Sequence, residues 1–320
     1  MKLTDIFLSA IAAVALTSCS AVYDDLDPCP QGVDMTLTFT RNMNWEDQYD
    51  TRVHCAKIRL YDQKGNFFGE YDVDGNMANL ELPVGKYHAI VYGGMSCENA
   101  SFDFSHSAAD AHHYSALETF IKGTRSPEST LQLHSQFHGT GDFEVKWDDL
   151  RHREHTIDLT HNVNNFKILL SYSDASEIKP EEYEVTITAD NAVTDHSNNV
   201  VKQGEDVTYH PYAEGEIADG KKVDGTPAPN AYLDLSIGRL TTDSNATLHV
   251  VRKEDGASML EIRLVDVLEE IMGKDSKATS LQDYLDRQDA WTLEFTIDPK
   301  PSFTTIKVND WLVVINKWDL

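Results

Sequence analysis

The stretch Val33-Asp34-Met35-Thr36-Leu37-Thr38-Phe39-Thr40 decides the fold. Val33, Met35, Leu37 and Phe39 alternate with polar residues, the two-residue period of a strand with one face in a core and one in water. The pattern recurs downstream. Ala56, Ile58 and Leu60 alternate with Lys57, Arg59 and Tyr61. Asp62-Gln63-Lys64-Gly65-Asn66 then turns the chain into a further run over 67–73. Leu80-Glu81-Leu82 leads into Pro83-Val84-Gly85, where proline presets the turn and glycine follows it. Residues 87–92 return as the next strand. Short strands about eight to twelve residues apart are the signature of an antiparallel β-sandwich.

The rest of the chain extends this reading. One helix is predicted after Ser107 as cap, with Tyr114, Leu117, Phe120 and Ile121 on its apolar face and Gly123 ending it. Strand patterns resume over 130–137 and 142–147. Residues 148–155 are charged, with Leu150 the one apolar residue, so a domain boundary is expected there. A second β set follows over 166–172, 183–189, 232–237, 246–251, 259–264, 291–297 and 306–315. Polar connections are expected over 191–204 and 214–229. Val267, Leu268 and Ile271 share a face of a second helix that Gly273 should stop. The prediction is an all-β chain of two tandem β-sandwich domains, 33–155 and 156–320, with a few short helices. Two modules of similar size and layout suggest a duplication.

The first 32 residues carry different information. Lys2 precedes a segment, 6–16, that is apolar apart from Ser9. It is too short to span a bilayer, which takes roughly 20 residues. It ends in Leu16-Thr17-Ser18-Cys19, an apolar residue, two small residues and a cysteine. That is the lipobox of a bacterial lipoprotein. Cleavage is expected between Ser18 and Cys19, making 1–18 a signal peptide and 19–32 a lipidated linker. Only a thiol can take the diacylglyceryl group as a thioether, and the freed amine can then take a further chain such as palmitate. One chain binds marginally, at ~0.8 kcal/mol per buried methylene, whereas two or three hold permanently. With 53 acidic residues against 27 basic ones the net charge is −26. Such a field repels nucleic acid, which is excluded as a partner. Cys29, Cys55 and Cys97 remain, so one disulfide and one free thiol are expected in an oxidising compartment. Cys55–Cys97 joins the ends of two strand-like runs, and Cys29–Cys97 is the alternative.

Chemical motifs are scarce. Among 13 histidines, His112-His113, His134 with His138, and His152 with His155 are the metal candidates. Residues four apart on a strand lie roughly 13 Å apart, too far to share an ion. Asp72-Val73-Asp74-Gly75-Asn76 opens like a calcium loop but lacks its final glutamate, which leaves a turn. Neither a nucleophile elbow, a zinc-protease helix motif nor a phosphate loop occurs. No enzyme activity, cofactor or metal is expected. Trp45, Trp147, Trp291, Trp311 and Trp318 could line a sugar site or serve as core.

The run Cys19-Ser20-Ala21-Val22-Tyr23-Asp24-Asp25-Leu26-Asp27-Pro28-Cys29-Pro30-Gln31-Gly32-Val33 resembles the start of the FimB-type fimbrial anchor lipoproteins of type V pili. The likeness continues through Phe39-Thr40-Arg41-Asn42-Met43, Ile58-Arg59-Leu60-Tyr61-Asp62, Leu82-Pro83-Val84-Gly85-Lys86-Tyr87 and Val91-Tyr92-Gly93-Gly94. Val308-Asn309-Asp310-Trp311 resembles a family motif with glycine where Asp310 stands. The resemblance implies transthyretin-like sandwiches, a lipid anchor in the outer membrane and exposure at the cell surface. It also implies a fimbrial stalk subunit as partner, with the anchor seeding assembly and limiting filament length. Host or bacterial surface ligands would be met through the assembled pilus, in cell adhesion. Asp24, Asp25 and Asp27 resemble a surface-export signal and equally suit a solvated acidic linker. The alternatives are an accessory or tip fimbrial subunit and a surface glycan-binding lipoprotein.

The chain ends with the apolar run Trp311-Leu312-Val313-Val314-Ile315, which does not alternate, so cover on both faces is expected. It is either an inner strand of its own domain or a strand shared with the first stalk subunit. Cys19→Ala is expected to leave a folded protein that no longer sediments with membranes. Persistence in a salt-washed outer-membrane fraction would contradict the lipid assignment.

Overall fold

The computed structural model describes residues 31–95, 97, 100–107, 112–123, 128–147, 151–174, 176–221, 227–298 and 302–313. Ser18, Cys19, Cys29, Val314, Ile315 and Trp318 lie outside them, as does the side chain of Val313.

In chain order the first half forms β1 (Gly32–Thr38), α1 (Tyr49–Arg52), β2 (Ala56–Asp62), β3 (Phe67–Asp72), β4 (Met77–Glu81) and β5 (Gly85–Gly93). Then come β6 (Phe102–Phe104), β7 (Glu118–Ile121), β8 (Glu128–Ser129), β9 (Phe137–Val145), β10 (Arg153–Asp158) and β11 (Thr160–His161). One sheet has the order β10-β1-β4 and the facing sheet β11-β9-β5-β2-β3. Val33, Met35, Leu37 and Phe39 are all buried between them, with Ile58, Leu60, Ala89 and Val91 opposite. The alternation in the opening stretch is therefore the inward face of β1. Tyr87 donates from its hydroxyl to the Pro83 carbonyl at 2.9 Å, which closes the turn into β5.

The second half forms β12 (Asn164–Tyr172), β13 (Tyr183–Ala189), β14 (Val193–Asp195), β15 (Val207–Tyr209), β16 (Ala213–Lys221) and β17 (Pro227–Ile237). It continues with β18 (Thr247–Arg252), β19 (Ala257–Arg263), α2 (Leu264–Asp275), α3 (Leu281–Arg287), β20 (Ala290–Asp298), β21 (Ser302–Val308) and β22 (Trp311–Val313). Its sheets run β16-β17-β12-β20-β21-β22 and β19-β18-β13-β15-β8. The large core between them includes Phe166, Ile168, Leu170, Leu233, Leu235, Trp291 and Phe295.

The two halves share one wiring. β1 pairs antiparallel with β4 and parallel with β10, and β12 pairs antiparallel with β17 and parallel with β20. The facing sheets match as well: β9-β5-β2-β3 corresponds to β19-β18-β13-β15. A hairpin turn repeats too. The Asp62 carboxylate accepts from the backbone N–H of Lys64 and Asn66, and the Asp195 carboxylate from those of Ser197 and Asn199. What the second sandwich adds beyond the shared wiring is β16 on one edge and the β21–β22 hairpin on the other.

Several expectations are corrected. Of the helix read over 107–123, the described residues 112–123 form a single 3-10 turn, Tyr114–Ala116, followed by β7. Leu117, Thr119 and Ile121 are the buried residues there, a period of two that competes with the helical spacing. The charged 148–155 segment carries β10 from Arg153, held in parallel register by β1. Residues 130–136 form no strand, and β9 begins at Phe137. The polar 214–229 connection holds most of β16 and the start of β17. Gly273 does not stop α2, which runs on to Asp275, because its backbone does not take the left-handed conformation that ends a helix at glycine. α3, capped by Ser280 accepting from the Asp283 N–H, was not expected. Asp74-Gly75-Asn76-Met77 is a tight turn as expected, but it carries the chain from one sheet to the other.

The segment between β5 and β9 leaves the first sandwich. Its early portion covers the outer face of β2 and β5, where Tyr61, Ile90, Tyr92 and Leu117 form a separate cluster. Arg59 is buried on that face, with its guanidinium 3.7 Å from the Phe104 ring centre and its Nε 2.9 Å from Glu70. The segment then crosses over. β7 pairs with β14, β8 pairs with β15, and Phe102, Ile121 and Leu133 enter the second core. Cys55 and Cys97 form a disulfide at its root, with Cα atoms 5.9 Å apart. The bridge closes a loop with a sequence separation of 42 residues, for which the chain-entropy model gives about 4 kcal/mol. Replacing both cysteines by serine is expected to lower stability by about 2–4 kcal/mol. The first proteolytic cut should then fall between β5 and β9. Unchanged denaturation and protection of that segment would contradict the pinning role.

Candidate functional site

Two places bring polar chemistry or open backbone together. The first is the junction between the sandwiches. Asn162, on the crossing between β11 and β12, is buried and donates to Asn198 Oδ1 at 2.7 Å and Gln136 Oε1 at 3.3 Å. Its own Oδ1 accepts from Arg239 Nη1 at 3.2 Å. Arg239 in turn pairs with Asp286 at 2.7 Å, with both side chains nearly buried. Gln136 donates to Thr119, whose hydroxyl meets that of Thr194 at 2.7 Å. The network thus ties the crossing segment, β7, β14 and α3 together.

Beside it, Asp289 sits between the halves. It pairs with Arg52 of α1, and His161 Nδ1 of β11 lies 3.0 Å away. Burial alone would push the Asp289 carboxyl up, but His161 and then Arg52 outweigh it and hold it at about 2. Arg287 donates to the Thr40 carbonyl at 3.0 Å and lies over Trp45, 3.7 Å from its ring centre. Asn42 braces the same loop, donating to the carbonyls of Phe39 and Glu46 at 2.7 Å each. That explains the resemblance at 39–43: the stretch is the first sandwich's half of the junction. Sequence reasoning missed Arg239, Asp286 and Asp289. The one available signal was a set of charges inside otherwise apolar runs, which by itself does not say what they pair with.

The second place is the β22 edge. Asn309 and Asp310 have φ of 46° and 70° and form the two-residue turn between β21 and β22. The left-handed region suits glycine, the residue that the resembling motif carries where Asp310 stands. The turn is fixed by Asn309, whose Oδ1 accepts from the Thr292 N–H and whose N–H donates to the Thr292 carbonyl, both at 2.9 Å. Among the described residues β22 is the last strand of its sheet, and α2 lies against β21 and β22. Trp311 is 41% exposed and Leu312 50%. The expectation that both faces of this run are covered is corrected for Trp311 and Leu312, and among the described residues β22 stands at the edge of its sheet.

The metal candidates do not converge. His134 pairs with Ser101, His152 with Asp34, and His113 with Ser115. Burial pushes His138 down to about 3. Among the described residues no group of three or more His, Cys, Asp or Glu is placed to hold a metal ion. Nor do the described tryptophans share a face. Trp291 is buried, Trp45 is partly exposed at the junction with Arg287 over its ring, Trp311 is on β22, and Trp147 stands at the end of β9.

Two sandwiches locked by a crossing segment, with an edge hairpin added to the shared wiring, define a tandem β-sandwich protein. The chain belongs to the family of fimbrillin-A associated anchor proteins Mfa1 and Mfa2, which matches residues 26–317. It is similar to the structure of an adhesin candidate from Bacteroides thetaiotaomicron, at 29% identity and TM-score 0.80, over 91% of this chain and 100% of that one. A second structure from that organism, described as a polysaccharide-binding candidate, has 21% identity and TM-score 0.77, over 90% and 99% of the two chains. The fimbrial anchor protein Mfa2 from Porphyromonas gingivalis shares the fold at 14% identity and TM-score 0.68, over 90% and 100%. Comparison with curated proteins finds no match.

A carboxylate held low contributes stability above its unfolded value, near 3.9, and loses it as pH falls through the folded value. Asp289→Asn is therefore expected to cost about 2 kcal/mol at pH 7. The gap to the parent should narrow below about pH 4 and close near pH 2. Denaturant midpoints at pH 7, 5 and 3 check this, and a gap constant across pH would contradict it.

Proposed function

We propose that this chain is a lipid-anchored pilus anchor of the outer membrane, exposed at the cell surface, and that β22 is its contact with the first fimbrial stalk subunit. Membership in a fimbrial anchor family supports the class of role. The Leu16-Thr17-Ser18-Cys19 lipobox supports the tether. The observation that carries the partner assignment is the β21–β22 hairpin. Among the described residues the first sandwich has no counterpart to it, and the hairpin ends in an edge strand with two large apolar side chains half in water.

A strand at a sheet edge is where an incoming strand can add by backbone pairing, and partly exposed apolar side chains give that pairing selectivity. Direction favours this too. β1 starts at the end of the first sandwich remote from the junction, whereas β22 starts beside Thr292 near the junction and runs away from it. A subunit added along β22 would grow outward from the tethered end. Holding the first subunit in this way would seed the filament, and the supply of anchor would limit its length.

Trp311→Thr combined with Leu312→Lys is expected to leave the melting temperature within about 2–3 °C, since both side chains are partly in water. Cells carrying it should shed pili into the medium or lose them. Normal surface pili of normal length would contradict the assignment. A collapsed melting temperature would show instead that these residues serve the sandwich itself.

A further inference from the structure

The most exposed large apolar side chain among the described residues is Trp147, at 84%. It has no role in either core. Its position is defined by strand register. Gly32 pairs with Glu81, and the Leu82 N–H donates to the Gln31 carbonyl at 3.0 Å. Gly85 pairs with Val145, so the end of β9 lies beside the start of β5. A Cβ added to Gly32 would come within 2.9 Å of His152 Nε2, which puts the approach to β10 there as well. Gln31, Val84 and Trp147 therefore share one end of the first sandwich. Val84 is itself 40% exposed. This is the end at which the N-terminal linker enters the fold.

About 12 residues separate Cys19 from Gln31. Such a segment reaches at most ~40 Å and on the order of 20 Å as a coil. If Cys19 carries lipid, this end of the sandwich is kept near the bilayer surface whatever path the linker takes. We infer that Trp147, with Val84 beside it, is an interfacial wedge that seats the first sandwich on the membrane holding the lipid. The inference rests on the lipid reading of Cys19. An indole has a large apolar body and one N–H donor, and it partitions to the boundary between headgroups and acyl chains. The charge at this end is mixed. Lys86, Lys146, Arg151 and Arg153 stand against Glu81 and Glu144, and Asp148 and Asp149 intervene in the sequence. Attraction to anionic headgroups is therefore not the driving contribution. The contact should form on zwitterionic lipid and persist at high salt, unlike a polybasic contact. Its consequence is orientation: a tether alone leaves the sandwich free to tumble, and a second contact point beside it holds the long axis away from the surface.

The test uses full-length protein purified from membranes and reconstituted into phosphatidylcholine vesicles with bromine on the upper acyl chains. Flotation reports lipid attachment, and quenching of tryptophan emission by the brominated lipid reports contact. Wild-type protein is expected to float and to be quenched equally at about 0.1 and 1 M salt. Trp147→Phe should float equally well and lose at least about half of the quenching, because Trp291 is buried, and Trp45 and Trp311, each 41% exposed, lie at the junction and on β22 of the second sandwich, away from the linker end. Equal quenching of parent and variant overturns the wedge while leaving the lipid reading intact, as does quenching abolished by salt. Failure of the parent to float overturns the lipid reading and the wedge with it.

Discussion

The molecule depends on one problem of connection. β5 and β9 are neighbours in register, with Gly93 opposite Phe137, yet the chain between them travels to the other sandwich and back. Departure and return pass the same point. Gly94 has φ +79°, its N–H donates to the Cys55 carbonyl at 2.9 Å, and an added Cβ would sit 2.0 Å from the Ser135 carbonyl oxygen. Only glycine fits there, which gives the Val91-Tyr92-Gly93-Gly94 stretch its physical meaning. The disulfide clamps the same corner. From it follow the covered outer face of β2 and β5, the pairing of β7 and β8 into the second half, and the buried polar network that meets them. The two sandwiches therefore exchange strands and do not merely abut. Their relative placement is set by backbone pairing and buried polar contacts together.

A body of this kind suits a load. In each sandwich the entering strand runs parallel to, and pairs with, the last strand of the shared wiring. That is β1 with β10 over Val33 to Thr38, and β12 with β20 over Asn165 to Tyr172. A pull between the N-terminal linker and the β21–β22 hairpin would load these ladders in shear, with many hydrogen bonds resisting together. A hairpin pulled at its open end would instead unzip, losing its hydrogen bonds singly and in turn. The Arg239–Asp286 and Arg52–Asp289 pairs lie where the two loaded sandwiches meet. Breaking one partner of the nearly buried Arg239–Asp286 pair leaves a charge without compensation, which costs several kcal/mol, whereas the more exposed Arg52–Asp289 pair contributes less. The junction is thus stiff against separation, although a purely apolar contact could stabilise it as well.

Much of this was legible in the sequence, for a stated reason. One-sided strands write a period of two, so β1, β2, β5, β13 and β18 could be read directly, and with them the all-β class. Cys55 and Cys97 could be paired because each flanks such a run. The misreadings share a cause. Tyr114 to Ile121 mixes a turn and a short strand whose apolar residues fall at helical spacing by coincidence. Residues 148–155 look like a linker because β10 shows only its edge and one face to the core. β16 is polar because it, too, is an edge. The crossing segment leaves only a short periodic trace, since its strands are two to four residues long, and β7 and β8 pair with the other half of the chain. The junction charges were invisible for the same reason: Arg239 and Asp286 are far apart in sequence, and only the fold makes them neighbours.

The account turns on β22 as the place where the stalk begins. A photo-crosslinking residue placed at Leu312, and separately at Phe68 on the first sandwich, tests this in intact piliated cells. Both positions are about equally exposed, at 50% and 42%, so accessibility does not bias the comparison. The account predicts a covalent adduct with the stalk subunit from position 312 and none from position 68. A stalk adduct from position 68 with none from 312 would contradict it.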